Sequence, residues 1–440
     1  MDNSVIKNLA KNKLCLLLAI HYLVIGGVVL AAYLYNYNMK SLLLLDDGYY
    51  NLAGKLFYGD SILHSRLSIG MPVLFSSLYF FPETLQPFIR LIITLLFSTG
   101  IIVLTYKIAE NYLSGESLFA GSLIFILNPV FVHWTVRSFP DIYIAFFLTL
   151  FTFAILKLPE GFSSKYFLIA VISFVTGVFF KPSMLIIPFA LLVYFIFRKN
   201  KRMTLIAVIL CFISAGSFGL YNKMTKPIYT GEKEVEVSAY YGELQLISSS
   251  LWINWVTKTN QYFKPTKTPY EIPGNIDEIF PPNEKWLYKN IHPQRQIYDA
   301  AERYAINYFA RNPGGNVVTL NFSFILEYPD LVFKKLVLSP FFFLGMSANP
   351  FEGLVKLVYS LFFILLGLWG IKKMYSEKNK ISFDTILVII LGYSLLFILT
   401  HSMNRYSMPI IPLATVWGGV VWRGGIRRSR GRLEERKLGR

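Results

Sequence analysis

The chain has 440 residues, 54% hydrophobic and only 16% charged, with a formal charge of +17. A soluble core of this size does not need so many apolar runs long enough to cross lipid, so the profile excludes an ordinary soluble protein and sets a multi-span membrane class. The two cysteines, Cys15 and Cys211, lie within apolar runs and offer neither a CxxC site nor a disulfide framework.

In chain order, residues 1–13 carry Lys7, Lys11 and Lys13, and 14–35 reads as a first span. It is too long for a signal-peptide core and has no Ala-x-Ala pattern near its end, so it is expected to be retained. His21 within it reads as a histidine packed between helices. A loop over 36–87 follows, with Asp46-Asp47, a short helix expected over 49–58 and a semi-apolar stretch at 67–81. Met71-Pro72 and Phe81-Pro82 interrupt that stretch, which predicts an interfacial segment and not a span. Further spans are predicted at 88–106, 118–134, 142–156, 166–180, 184–197, 204–220, 354–371, 383–400 and 407–422. Residues 331–346, with Lys334, Lys335 and a mid-run Pro340, read as interfacial or re-entrant, with an eleventh span as the alternative.

The basic residues place the ends. The Lys-rich start, the Arg198-Lys199-Asn200-Lys201-Arg202 turn, Lys372, Lys373, Lys378 and Lys380, and the tail 423–440 with eight basic and two acidic residues all fall on one side of this arrangement. The loop 221–330 carries 11 basic and 12 acidic residues and faces the other. By the positive-inside rule both termini are cytoplasmic, and the +17 is a topology signal that needs no nucleic acid. The large loop, with Pro265, Pro269, Pro273, Pro281 and Pro282 and a helix-like stretch at 294–310, predicts a small, partly helical cap. The expected organisation is a membrane module over 1–220, a cap with its interfacial segment over 221–350, C-terminal membrane helices over 351–422 and a basic tail.

The functional residues gather on the outer side. Two adjacent carboxylates, Asp46 and Asp47, follow Leu42-Leu43-Leu44-Leu45 at a membrane edge. Desolvating such a pair costs several kcal/mol, so it is either an ordinary solvated loop or a base presented for chemistry. Arg137 and Asp141, Lys181-Pro182, and the stretch 401–409 fall on the same side.

Asp46-Asp47-x-x-Tyr50-x-x-Ala53…Gly59-Asp60, then Arg66-x-x-x-Gly70-x-Pro72-x-Leu74, then Ile89-Arg90-Leu91 resembles the start of GT-C membrane glycosyltransferases. The particular branch it resembles is the protein O-mannosyltransferase and aminoarabinose transferase group, family 39. Asn128-Pro129, Arg137, Pro140-Asp141, Lys181-Pro182 and Arg405-Tyr406-x-x-Pro409-x-x-Pro412 extend the resemblance, which covers 14–200 well and 221–330 hardly at all. The second acid of the pair is commonly Glu in that family, where this chain has Asp47.

The resemblance implies an all-α polytopic fold, a GT-C-like bundle of about ten or eleven transmembrane helices with an extracytoplasmic loop domain. It implies transfer of a sugar from a polyprenyl-phosphate donor to a hydroxyl acceptor (lipid, glycan or protein), with inversion, on the extracytoplasmic face. In that reading Asp46 is the general base, its basicity raised by apolar packing and by Asp47. Asp47 orients it or binds the acceptor. Asp141 is either a third functional acid or a plain helix N-terminal residue. Arg66, Arg137, Lys181 and Arg405, with Tyr406, are the substrate-binding set, the cations meeting the leaving phosphate. Arg137 and Arg405 suit it better than Lys181, since a guanidinium binds two phosphate oxygens at once. The alternative for each cation is snorkelling to headgroups. Arg90, just inside an apolar helix, reads as structural. The reading assigns no cofactor with certainty and leaves open a divalent metal held by His64 or His133 with Asp46 or Asp141, for which no ligand spacing speaks. Competing readings are a transporter or flippase of lipid-linked sugars and a non-enzymatic assembly factor.

Overall fold

The computed structural model describes residues 3–35, 47–59, 70–113, 115–137, 139–159, 161, 163–225, 317–327, 329–345, 350–376, 379–399 and 404–421. Residues 226–316 of the cap expected over 221–350, the tail, and the candidate residues Asp46, His64 and Arg66 lie outside the described residues. Among those described, every regular element is helical.

The elements are α1 (Asn3–Leu34), α2 (Asp47–Phe57), α3 (Gly70–Ser76), α4 (Gln86–Ala109), α5 (Gly115–Ile126), α6 (Pro129–Arg137), α7 (Pro140–Lys157) and α8 (Ser164–Phe180). Then come α9 (Ile186–Phe197), α10 (Lys201–Thr225), α11 (Val317–Glu327), α12 (Pro329–Leu344), α13 (Pro350–Met374), α14 (Lys380–Leu399) and α15 (Ile411–Thr415). Among the described residues, five segments are long and apolar enough to cross a membrane: Asn12–Leu34, Gln86–Ala109, Pro140–Lys157, Gly353–Met374 and Lys380–Ile398. The chain is an all-α polytopic membrane protein.

The remaining expected spans are helical but not all straight or full-length. The segment 118–134 is two helices, α5 and α6, bent by 53°. Asn128 and Pro129 make the bend. The Asn128 side-chain oxygen accepts from the Val130 amide at 2.9 Å, and Pro129 occupies the first position of α6, where its missing N–H costs nothing. The segments 166–180 and 184–197 appear as the 17-residue α8 and as a 3-10 turn, Pro182–Leu185, leading into the 12-residue α9. The last, 407–422, is broken into a 3-10 turn at Asn404–Ser407, the five-residue α15 and a further 3-10 turn at Val416–Gly418. Residues 329–344 form one helix despite Pro340. The stretch expected to be broken at Met71-Pro72 instead starts a helix there, because Pro72 falls in the first turn of α3. Met71, Phe75 and Leu78 are wholly buried, so this segment packs into the bundle while Val73 and Phe80 face outward.

The centre of the bundle is α7, with thirteen of its eighteen residues buried. It packs chiefly on α8 and α4 and also meets α14 and α15. A helix apolar all round belongs in this position. By contrast α1 leaves Leu16, Leu23, Leu30, Tyr33 and Leu34 exposed, as a helix against lipid does, and is tied to α4 by His21 Nε2 on Ser98 Oγ at 2.9 Å.

Lipid supplies little hydrophobic drive for helices to associate, so close backbone approach must do much of the work. The C-terminal segment shows this. A Cβ on Gly121 of α5 would stand 1.9 Å from the Val416 carbonyl oxygen, and one on Gly367 of α13 would stand 1.8 Å from that of Ala414. Gly370, one turn on, would place its Cβ 2.0 Å from the Trp417 carbonyl oxygen. Glycine on both flanking helices thus lets the broken segment lie between them. Gly370→Val is expected to destabilise the protein by about 1–3 kcal/mol, the usual cost of overpacking. Thermal unfolding in detergent checks it, with Gly216→Val, where an added Cβ meets nothing within 4 Å, as the neutral comparison.

With α5 and α6 running on through one 53° bend, successive spans alternate in direction, which decides where side chains far apart in sequence meet. One end collects the starts of α4, α7 and α13 and the ends of α6, α8 and α14. The opposite end carries the Arg198–Asp384 ion pair, reinforced by Tyr194 Oη and Tyr375 Oη donating to the same carboxylate at 2.8 and 2.7 Å.

Candidate active site

The acid-bearing helix α2 begins at Asp47, where the positive end of the helix dipole favours a carboxylate. Its inward face is fixed by the residues spaced three apart in the sequence motif. Ala53 is wholly buried, and Tyr50 donates its hydroxyl to the Gln86 side-chain oxygen at the start of α4. Tyr79 Oη donates to the Tyr50 carbonyl at 2.9 Å, and the two rings stack with centroids 5.0 Å apart. Gln86 passes the connection on, donating Nε2 to the Phe81 carbonyl at 2.9 Å. Burial pushes both phenols above their ordinary pKa, so they remain proton donors at any physiological pH. Gly54 sits under Tyr79 so closely that a Cβ there would be 2.6 Å from the hydroxyl. The start of α2 is therefore held against α4 and the Ser77–Phe80 turn by specific contacts.

Asp141 is 1% exposed and lies in the first turn of α7. Lys181, at the end of α8, donates Nζ to Asp141 Oδ1 at 2.7 Å. The same ammonium lies 3.7 Å from the Tyr406 ring centroid and 5.0 Å from that of Phe397. Tyr406 is 1% exposed and stacks on Phe397 with centroids 4.5 Å apart. Asp141, Lys181 and Tyr406, separately singled out in the sequence, thus form one buried cluster joining α7, α8, α14 and the Asn404–Ser407 turn.

Behind it, Arg90 is wholly buried with its guanidinium 4.6 Å from the Phe75 ring centroid. Phe75 meets Tyr143 edge-on at 6.0 Å, and Tyr143 stacks on Phe180 at 5.3 Å, next to Lys181. This aromatic chain links α3, α4, α7 and α8 beneath the ion pair.

A second group stands on α6 and α13. His133 meets Trp134 edge-on at 4.7 Å, and Lys356 Nζ lies 5.8 Å from the Trp134 ring centroid. Arg137, one turn on from His133, is half-buried, and its Nε is shut off from solvent with no hydrogen-bond partner among the described residues. Arg137 and Lys356 both act electrostatically on the His133 ring.

Of the expected residues, the described structure brings Asp141, Lys181 and Tyr406 together and puts Arg137 in this second group. Asp47 and Arg405 are located by their backbones, in the first turn of α2 and in the Asn404–Ser407 turn. That turn packs against α6, the helix of Arg137. Lys356, only 3% exposed, is the residue that the sequence reading passed over. Its signal was present: a lysine two residues into an apolar span is unusual enough to be suspected of function. Among the described residues no three His, Cys, Asp or Glu side chains converge on a metal position.

Residues 84–220 match the family of dolichyl-phosphate-mannose-protein mannosyltransferases. The match runs from just before α4 into α10 and includes Arg90, Asn128, Arg137, Asp141 and Lys181. It indicates a membrane glycosyltransferase of the GT-C type. No curated protein matches the chain.

Proposed function

We propose that this GT-C-type membrane glycosyltransferase transfers a hexosyl or pentosyl group from a polyprenyl-phosphate donor to a hydroxyl of a lipid, glycan or protein, on the extracytoplasmic face. The observation that carries the reading is that α2, which begins at Asp47, is fastened to the start of α4, the end of the bundle where Asp141 and Lys181 meet. Carboxylates at the end of the helices suit chemistry on a substrate at the membrane surface. A transport path would favour acids at mid-span.

In the reaction Asp46 accepts the acceptor hydroxyl proton as the hydroxyl oxygen bonds to the anomeric carbon. The bond from that carbon to the phosphate oxygen breaks on the opposite side, its electron pair leaves with the polyprenyl phosphate, and the configuration inverts. Asp47 orients the base or the acceptor. Arg66, Arg137 and Arg405 are the cations left to meet the phosphate, because Lys181 is engaged by Asp141. Asp141 then acts in positioning, tying the start of α7 to the end of α8.

The decisive experiment incubates the purified protein with radiolabelled polyprenyl-phosphate sugars and acceptor extracts. Label is expected in a product insensitive to the mild acid that cleaves the donor. A protein that binds the donor and never transfers the sugar would return the transporter reading to first place. Orientation has its own check. Single cysteines at positions 199 and 378 are expected to label from the cytoplasm, and ones at 233 and 284 from outside. Labelling of position 284 from the cytoplasm would turn the site to the wrong face.

A further inference from the structure

We infer that the α9–α10 and α13–α14 turns form one docking surface for anionic phospholipid headgroups, at the end of the bundle opposite Asp141 and Lys181. The inference goes beyond the glycosyltransferase reading and does not depend on it. It starts from Asp384, near the start of α14. One of its carboxylate oxygens accepts from Tyr194 Oη of α9 at 2.8 Å and from the Arg198 guanidinium. The other accepts from Tyr375 Oη, just past the end of α13, at 2.7 Å. One carboxylate thus fastens the two turns side by side. The joined turns expose Lys199, Lys201, Arg202, Lys372 and Lys373. Among the described residues of 198–202 and 372–384, Asp384 is the one carboxylate, and Arg198 engages it. The surface is therefore net positive, the complement of a phosphate headgroup.

The backbone at Lys199 points the same way. The end of α9 is a Schellman turn: the Asn200 amide donates to the Phe195 carbonyl at 3.1 Å and the Lys199 amide to that of Ile196 at 3.0 Å. Lys199 holds the left-handed position of that turn, at φ 54°, where glycine is the usual residue. Asn200 Oδ1 then accepts from the Met203 amide at 3.1 Å and starts α10. Glycine would make the same turn with less strain, so what lysine adds is its ammonium at the tip.

The apolar surroundings specify a lipid over a soluble anion. On the membrane side of the bases, Ile196, Phe197 and Leu205 are exposed, Phe197 by 81%. Trp369 is exposed one turn before Lys373, whose Nζ lies 4.9 Å from its ring centroid. Apolar side chains beneath a rim of bases match acyl chains beneath a phosphate.

The test counts lipids retained by the full-length protein in neutral detergent, using native mass spectrometry during titration with phosphatidylglycerol or phosphatidylcholine. The wild type is expected to retain phosphatidylglycerol in preference to phosphatidylcholine. Lys199→Gly is expected to weaken phosphatidylglycerol binding about fivefold, the worth of one base near a charged headgroup, while melting no lower than the wild type. Lys199→Gly/Lys201→Gln/Lys372→Gln/Lys373→Gln is expected to weaken it about a hundredfold or more. Asp384→Asn separates a built surface from diffuse attraction. It raises the net positive charge, so diffuse attraction would tighten binding, whereas release of the two turns weakens it. Should Asp384→Asn not fold, Tyr375→Phe, which keeps the charge and frees only the α13 end, is expected to weaken binding in its place. Undiminished retention by the four-site variant, equal retention of phosphatidylcholine, or binding by Asp384→Asn as tight as the wild type or tighter overturns the inference. So does unchanged binding by Tyr375→Phe where that variant stands in. Displacement of the lipid by millimolar inorganic phosphate or by single-stranded RNA overturns it in favour of a soluble anion.

Discussion

Asp46→Asn is expected to slow sugar transfer by about 10²–10⁴-fold, the usual worth of a positioned base. The substitution keeps the size and hydrogen-bonding shape of the side chain and removes only its capacity to accept a proton. Donor affinity should survive, because an anionic phosphate gains nothing from a neighbouring carboxylate. Asp47→Asn should cost less, since a group that orients the base or the acceptor carries no proton in the reaction. The two variants also share a scaffold, because Tyr50, Tyr79 and Gln86 hold α2 through contacts that neither acid makes. Thermal unfolding of both variants at the wild-type temperature separates a chemical loss of turnover from release of the helix. Initial rates with a radiolabelled donor decide it. Transfer by Asp46→Asn at near wild-type rate would remove Asp46 from the chemistry and pass the role to Asp141.

The Asp141–Lys181 pair predicts the largest effect on stability. Lys181→Met leaves Asp141, 1% exposed, facing no ammonium, and is expected to destabilise the protein by about 3 kcal/mol. That figure is the low end for a broken buried pair, because the Lys181 side chain keeps 15% of its surface accessible. It also loses the contact with the Tyr406 ring at 3.7 Å. The double variant Asp141→Leu/Lys181→Met should recover most of that loss, since replacing both members of a buried pair by apolar groups is often close to neutral. Thermal unfolding of the four proteins of the cycle measures the coupling. The same double variant separates the two roles open to Asp141. If the pair only positions α7 against α8, the refilled protein retains transfer within about tenfold. Loss of all transfer in a protein that melts like the wild type would make Asp141 a chemical group.

Much of the membrane architecture was legible in residue order. The five long spans follow from apolar length alone, and the helix expected at 49–58 is found as α2, Asp47–Phe57. Where the reading fell short, local backbone chemistry explains it. Pro72 was taken as a break, yet a proline in a first turn begins a helix. Asn128-Pro129 lies inside an apolar run that reads as one span, and the capping of Val130 by Asn128, with Pro129 starting the next helix, turns it into two helices at 53°.

The candidate site divides along the same line. Sequence by itself determined which charged residues stand at span ends, because a helix of known direction puts Asp141 at one terminus and Lys181 at the next on the same side. It could not determine which charges touch. Asp141 reads equally well as a cap or a functional acid until Lys181, forty residues on, is found 2.7 Å away. Arg137 reads as a phosphate ligand, with snorkelling as the alternative, and residue order says nothing of Lys356 lying beside Trp134 on the neighbouring turn. Such pairs are set by how helices pack sideways, and in lipid that packing depends on glycine contacts such as Gly367 on Ala414 and Gly121 on Val416. Apolar periodicity records which residues leave water; it carries no information on which helix each one meets, and that is what only the tertiary structure decided.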